Sequence, residues 1–182
     1  MAELKAKSIT LKNGKSLVLR SITPDDAQDF LIFKTQIPLE SSNMLYAGLP
    51  LPLLQKMAEQ LAVDALDSVS LNIGVFDNQR IVGSLGFRVS DPTHPWLKHI
   101  GHFNMMILKE FWGQGVAQQL LAEQDLHAQK KSIQRIEALV KADNERGLKL
   151  YEKSGFTIEG RKEKAAFIDG QFFAAYYIAK LM

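Results

Sequence analysis

The chain has 182 residues, of which 46% are hydrophobic and 23% charged, with a formal net charge of +2. That is enough apolar content for one domain with a real core, read as residues 1–182, and too little charge bias for a nucleic-acid arm or a polybasic membrane patch. There is no cysteine, which excludes a disulfide framework, a thiolate metal site and a cysteine nucleophile.

The N-terminal stretch lacks the apolar core and cleavage site of a signal peptide. No apolar run approaches the roughly 18 residues needed to cross a bilayer. The chain therefore reads as cytoplasmic, with neither a membrane nor a nucleic acid as partner.

Residues 8–12 and 17–22 read as short strands around an Asn13-Gly14 turn. Leu17, Leu19 and Ser21 share one face. Thr23-Pro24-Asp25-Asp26 is a helix start, with Thr at the cap, Pro in the first turn and acids beside the dipole. That helix is expected to run to about Lys34. Residues 36–52 hold three prolines and read as a long loop. Residues 53–64 have helical spacing at Leu54, Met57 and Leu61. Residues 71–76 and 81–89 form a second hairpin signal, and 90–98, with two prolines and Trp96, a connection. Residues 99–108 read as a strand, and 116–130 as a helix with Ala117, Leu120, Leu121 and Gln124 inward. A strand at 133–140, a helix at 144–154 ended by Gly155, and two strands joined near Asp169-Gly170 complete the chain. The order predicts an α+β fold: a mixed, mostly antiparallel sheet flanked by helices, not a doubly wound parallel sheet.

The segment from Leu108 to Leu121 is the most informative. An apolar strand enters a short loop with Gly113 and Gly115, and an amphipathic helix starts at once. Free N–H groups at a helix N-terminus, with the helix dipole behind them, suit a phosphate or pyrophosphate. Two glycines before a helix also make a plain tight turn. The spacing is not that of a P-loop, because no Gly-Lys-Ser/Thr follows. The third glycine and the later acid of a dinucleotide fingerprint are missing too.

A second motif follows: Asn144-Glu-Arg-Gly-Leu-Lys-Leu-Tyr151-Glu-Lys-Ser-Gly155-Phe156. With these two motifs in this order, the chain resembles the GNAT superfamily of acetyl-coenzyme A-dependent N-acetyltransferases. The resemblance covers essentially the whole chain. The tail from Gly155 to Gly170 is similar to the branch that includes ribosomal-protein and polyamine acetyltransferases. One departure is Trp112, which stands where the family's loop opens with Arg or Gln.

The resemblance implies transfer of an acetyl group from acetyl-CoA to a primary amine, by direct attack in a ternary complex. The acceptor would be a small-molecule amine or a protein N-terminus. The family places the thioester beside a strand that splays from its neighbour, here residues 103–108. Backbone groups near Met105, Met106 and Ile107 would meet the pantetheine arm. Main-chain N–H groups of Gly113, Gln114, Gly115, Val116 and Ala117 would hold the pyrophosphate. Asn144 would bond the pantetheine arm, and also reads as a helix N-cap. Tyr151 is the implied acid for the departing thiolate. A phenol with pKa near 10 carries its proton at neutral pH; the residue also reads as a core tyrosine.

The general base stays open between His102 and Glu137 on adjacent strands. Glu40, in the loop expected after the first helix, is a candidate substrate-side carboxylate. His94, His99 and His102 share no helix face with a carboxylate partner, so no metal site is expected. Lys109, Arg146 and Lys149 are candidates for an adenosine 3'-phosphate, or plain solvated cations. Phe172, Phe173, Tyr176 and Tyr177 give one strand two apolar faces, one of which would suit a homodimer partner. The competing function is a non-catalytic acyl-CoA sensor on the same fold.

Overall fold

The structure, a computed structural model, describes residues 4–43 and 52–182. Twelve main elements run in order β1 (Lys7–Thr10), β2 (Ser16–Ser21), α1 (Ala27–Glu40), α2 (Leu54–Leu66), β3 (Leu71–Asp77), β4 (Arg80–Val89), β5 (Ile100–Ile107), α3 (Val116–Lys130), β6 (Arg135–Lys141), α4 (Glu145–Lys153), β7 (Thr157–Ile168) and β8 (Gln171–Leu181). The strands make one sheet in the order β1-β2-β3-β4-β5-β6-β8-β7. Every neighbouring pair is antiparallel except β5 and β6. The expected α+β class and element order are therefore those of the structure.

Strand alternation sets the two faces. On β4 and β5, the residues Gly83, Phe87 and Phe103 face α3 and α4: Phe87 meets His127 of α3 at 5.8 Å between ring centroids, and Phe103 meets Tyr151 of α4 at 5.5 Å. Ser84, Gly86, Asn104 and Met106 face α1 and α2, where they share a cavity with Phe30, Lys34 and Met57. The core fills both layers, with Leu19, Ile73, Val75, Leu85, Phe87, Leu120 and Ile136 fully buried. No helix among the described residues is long and apolar enough to cross a membrane.

Three expectations change. Helix α1 does not stop near Lys34 but runs to Glu40 with Pro38 inside it. Pro38 removes one helical donor, which ordinarily ends a helix. Here buried Phe33 and Ile37 hold the segment against the core, and Glu40 is fastened by tertiary bonds. The part of the expected loop at residues 44–51 lies outside the described residues. In α2 the exposed Leu54 leaves the inner face to Met57, Leu61 and Asp64. In α3 the inner face is Val116, Leu120, Leu121, Gln124 and His127, with Ala117 only half-buried beside the loop.

His127 provides a pH handle on stability. It is buried and its Nε2–H donates to the Val69 carbonyl at 2.6 Å. Burial lowers its pKa, opposed by that bond and assisted by Lys131 and Lys130. The unfolded histidine takes its proton near pH 6.5, while the folded one stays neutral to lower pH. Stability is thus undiminished above pH 6.5 and falls as the pH drops below it, by up to about 1.4 kcal/mol per unit. Urea unfolding at pH 7.5 and 5.5 should show this loss, and His127→Gln should remove part of it.

Candidate active site

A cleft of about 1420 Å³ cuts the sheet where β5 and β6 part. The two strands pair only at Ile100–Arg135, Gly101–Ile136 and His102–Glu137. Beyond His102, β5 continues against β4 alone. The cause is the course of β6, which follows β8 and is paired with it along its whole length, from Arg135–Leu181 to Lys141–Ala175. Peptide groups of β5 on the open side therefore lack a strand partner. Leu108 N–H bonds Val82 of β4, so by antiparallel alternation Phe103, Met105 and Ile107 turn their peptide groups to the gap, while Met106 turns its own to β4. Of the three backbone positions expected to serve a ligand, Met105 and Ile107 thus face the gap. Met106 instead contributes its side chain, on the α1 side. The Ile107 carbonyl already accepts the Trp112 indole N–H at 2.7 Å.

The glycine loop sits at one end of this cleft. Gly113 and Gly115 have φ of +74° and +96°, which an L side chain adopts only under strain. Among the described residues, none of the N–H groups from Gly113 to Gln118 donates to a backbone carbonyl. They are the orphan donors of the α3 N-terminus, extended by the loop before it, and they fit an anionic group. Lys12 N–H holds the Gln114 carbonyl at 3.2 Å and so ties the loop to the first hairpin. The Trp112 ring is covered by the Arg146 guanidinium, 3.1 Å from its centroid. Trp112 thus supplies no cation itself but seats one from α4 at the loop.

On the α3 and α4 face, Tyr151 packs in a cluster with Phe103 and Phe156, at centroid distances of 5.5 and 5.7 Å. Its hydroxyl has no hydrogen-bond partner among the described residues. Burial pushes the phenol pKa up to about 12, so the group stays protonated well beyond neutral pH. Asn144 caps α4 by accepting the Gly147 N–H on its Oδ1 at 3.0 Å, which leaves its amide NH2 for another acceptor.

At the vertex of the gap, His102 projects to the α1 and α2 face. Its Nε2 lies 2.5 Å from Ser90 Oγ. Its Nδ1 lies 3.5 Å from Glu137 Oε1, an electrostatic contact rather than a formed hydrogen bond. Glu137 Oε2 accepts Arg135 Nε–H at 2.6 Å, and Arg135 also forks onto Glu159. Glu137 is therefore already held by a guanidinium, whereas His102 is half exposed and lines the cleft. Glu40 also lines the cleft, but from the last turn of α1 rather than from a loop. Both oxygens are engaged, one by Lys109 N–H at 2.6 Å and one by Gln36 Nε2–H at 2.6 Å. Sequence reasoning missed Ser90, Arg135 and the pairing of Arg146 with Trp112, all of which depend on tertiary neighbours.

Known proteins share this fold. The L-amino acid N-acetyltransferase AaaT of Escherichia coli (strain K12) is 32% identical over 102 residues, which are 56% of this chain and 62% of AaaT, so the alignment spans less than two thirds of that relative. An acetyltransferase of the GNAT family from Streptococcus pneumoniae superposes with a TM-score of 0.85 at 29% identity, over 91% of this chain and 99% of the other. A GNAT superfamily phosphinothricin acetyltransferase from Sinorhizobium meliloti, solved in complex with AcCoA, has the same fold, with a TM-score of 0.79 at 13% identity over 91% and 88% of the two chains. The acetyltransferase (GNAT) domain model matches residues 16–157. That stretch runs from β2 through the parted strands and the glycine loop to the start of β7, and by it the chain belongs to the acetyltransferase (GNAT) domain family.

Proposed function

We propose that this chain transfers an acetyl group from acetyl-CoA to the primary amine of a small acceptor, with an L-amino acid as the acceptor class. One observation carries the reading: an unpartnered phenol and an exposed imidazole stand on opposite faces of one strand, at the place where its neighbour peels away. Amine attack on a thioester needs a base on the acceptor side and an acid on the sulfur side. Tyr151 and His102 are separated in that way. Amino acids are favoured by the relationship to AaaT, an L-amino acid N-acetyltransferase.

Acetyl-CoA supplies the activated acetyl thioester. The N–H groups of Gly113 to Ala117 would hold its pyrophosphate, with Arg146 adding charge beside Trp112. Met105 and Ile107 backbone groups and the Asn144 amide would line its arm. His102 receives a proton from the acceptor ammonium or the attacking amine, with Ser90 on Nε2 as a local relay and Glu137 beside Nδ1. Glu137 thereby orients His102 rather than acting as a free base. Tyr151 gives its proton to the leaving sulfur and regains one from solvent. Glu40 fixes the end of α1 to the start of the Lys109–Phe111 turn, so its role is to shape the acceptor wall.

Thiol release from acetyl-CoA across a panel of amino acids, polyamines and peptides tests the reading. Turnover with amino acids is expected, and His102→Gln should lower kcat by about 10²-fold. Turnover of peptides or polyamines alone would overturn the acceptor class. Coenzyme A binding without turnover of any amine would instead favour a sensor.

A further inference from the structure

On the α1 and α2 face, a smaller cavity of about 130 Å³ adjoins the main cleft. The two share Lys34, Asn104 and Met106. Two features of its wall are unusual. Lys34 is a half-buried cation with no ion pair among the described residues; its Nζ rests 4.8 Å from the Phe30 ring centroid. The nearby carboxylate, Asp64, is already taken by Arg88 at 2.6 Å and by Gln60 at 2.8 Å. Burial lowers the Lys34 pKa, against the pull of Asp64 and with the push of Arg88. Ser84, which lines the same cavity, is only 1% exposed, and its Oγ has no hydrogen-bond partner. Asn104 sits over Gly86 on the same face.

A half-buried cation held only by a ring and a buried hydroxyl with no partner carry a desolvation cost that a bound anion would recover. A carboxylate offers what both lack: negative charge for Lys34 and lone pairs for the Ser84 hydroxyl and the Asn104 amide. At about 130 Å³ the cavity has room for such a group. Asn104 lies between His102 and Met106 in the row of residues on this face of β5. His102 and Asn104 both line the main cleft, so a carboxylate at Asn104 would keep the rest of the acceptor on the side of the cleft where His102 stands.

We propose that Lys34, with Ser84 and Asn104, forms the subsite for the acceptor's carboxylate and so makes this enzyme select amines that carry one. The proposal rests on the acetyltransferase reading above and names the part of the site that would set its substrate class. A polyamine, cationic and without a carboxylate, would meet Lys34 as a like charge.

The test compares glycine and each L-amino acid that carries a primary α-amine with the amine that lacks its carboxyl group, in the wild type and in Lys34→Met. The wild type should favour the amino acid. In Lys34→Met, KM for amino acids should rise at least about tenfold at nearly unchanged kcat, while kcat/KM for the matched amines should stay level or rise. Ser84→Ala should give a smaller change of the same pattern, and Lys34→Arg should restore part of the preference. An equal loss for both substrate sets, or a wild type that prefers the carboxyl-free amines, overturns the subsite. If no amine is turned over, the catalytic reading fails, and calorimetry with the same amino acids decides the subsite separately. Binding lost in Lys34→Met supports it; binding unchanged, or none in the wild type, overturns it.

Discussion

Tyr151→Phe is expected to lower kcat by about 10²- to 10³-fold, the range for loss of a positioned general acid, with the affinity for coenzyme A held within a factor of about three. The substitution removes one oxygen from a ring that keeps its contacts to Phe103 and Phe156. Because the hydroxyl has no internal partner among the described residues, its loss leaves no buried donor or acceptor unpaired. Fold and binding should therefore survive while proton delivery fails. With the phenol pKa raised by burial to about 12, the wild-type rate should show no alkaline fall assignable to this acid up to about pH 10, the ordinary phenol pKa. Stability gives a readout independent of catalysis. The unfolded tyrosine loses its proton near pH 10, and the folded one holds it to about 12. The native state therefore loses stability as pH rises through that window, by up to about 1.4 kcal/mol per unit, and the Phe variant should lack this contribution. Steady-state kinetics from pH 6 to 10 and urea unfolding from pH 9 to 12 check both halves. An unchanged kcat would remove Tyr151 from the chemistry.

The order of the elements and the glycine loop were legible in the sequence because each is a local signal. Asn13-Gly14 and Asp169-Gly170 specify turns, alternating apolar residues specify strands, and Asn144 followed by Gly155 brackets a helix. The end of α1 was not legible. Pro38 is a valid local stop signal, overridden by Phe33 and Ile37 in the core and by Glu40 on Lys109 N–H, across 69 positions of chain. Trp112 looked like a loss of positive charge at the loop. Only the approach of α4 shows that the ring carries the Arg146 guanidinium. Lys34 and Ser84 gave no signal at all. A lysine on a helix and a serine in a strand become unusual only when packing leaves the ammonium half-buried on a ring and the hydroxyl buried with no partner.

The parted strands explain why one sheet can serve both reactants. A continuous β5–β6 pairing would have spent the peptide groups of Met105 and Ile107 on β6 and sealed one face from the other. Pairing stops after His102–Glu137 because β6 follows β8. Side-chain alternation then does the sorting: Phe103 and Tyr151 belong to the α3 and α4 side, His102, Asn104 and Met106 to the α1 and α2 side. The proposed acid, Tyr151, and the proposed base, His102, thus stand on opposite sides of β5, each with its own contacts.

Gly115→Glu is expected to raise the Kd for coenzyme A by at least about 100-fold. The residue lies at φ +96°, and a Cβ there would meet nothing within 4 Å. The backbone strain of a non-glycine residue costs roughly 1–2 kcal/mol, about a tenfold effect if the free loop can relax. The side chain itself has open space, so the larger part of the loss must be electrostatic: a carboxylate placed among N–H groups that await a phosphate. Gly115→Asn separates the two contributions, since Asn tolerates positive φ and is neutral. Calorimetric titration with coenzyme A should rank the wild type above Gly115→Asn, and Gly115→Asn well above Gly115→Glu. Raising the salt from 50 to 500 mM should narrow the gap between the two variants, because screening acts on charge and not on strain. Equal losses in both variants would make the loop a structural turn. A wild-type affinity retained by Gly115→Glu would move the pyrophosphate elsewhere and leave the unpaired N–H groups of Gly113 to Ala117 without the ligand that their geometry fits.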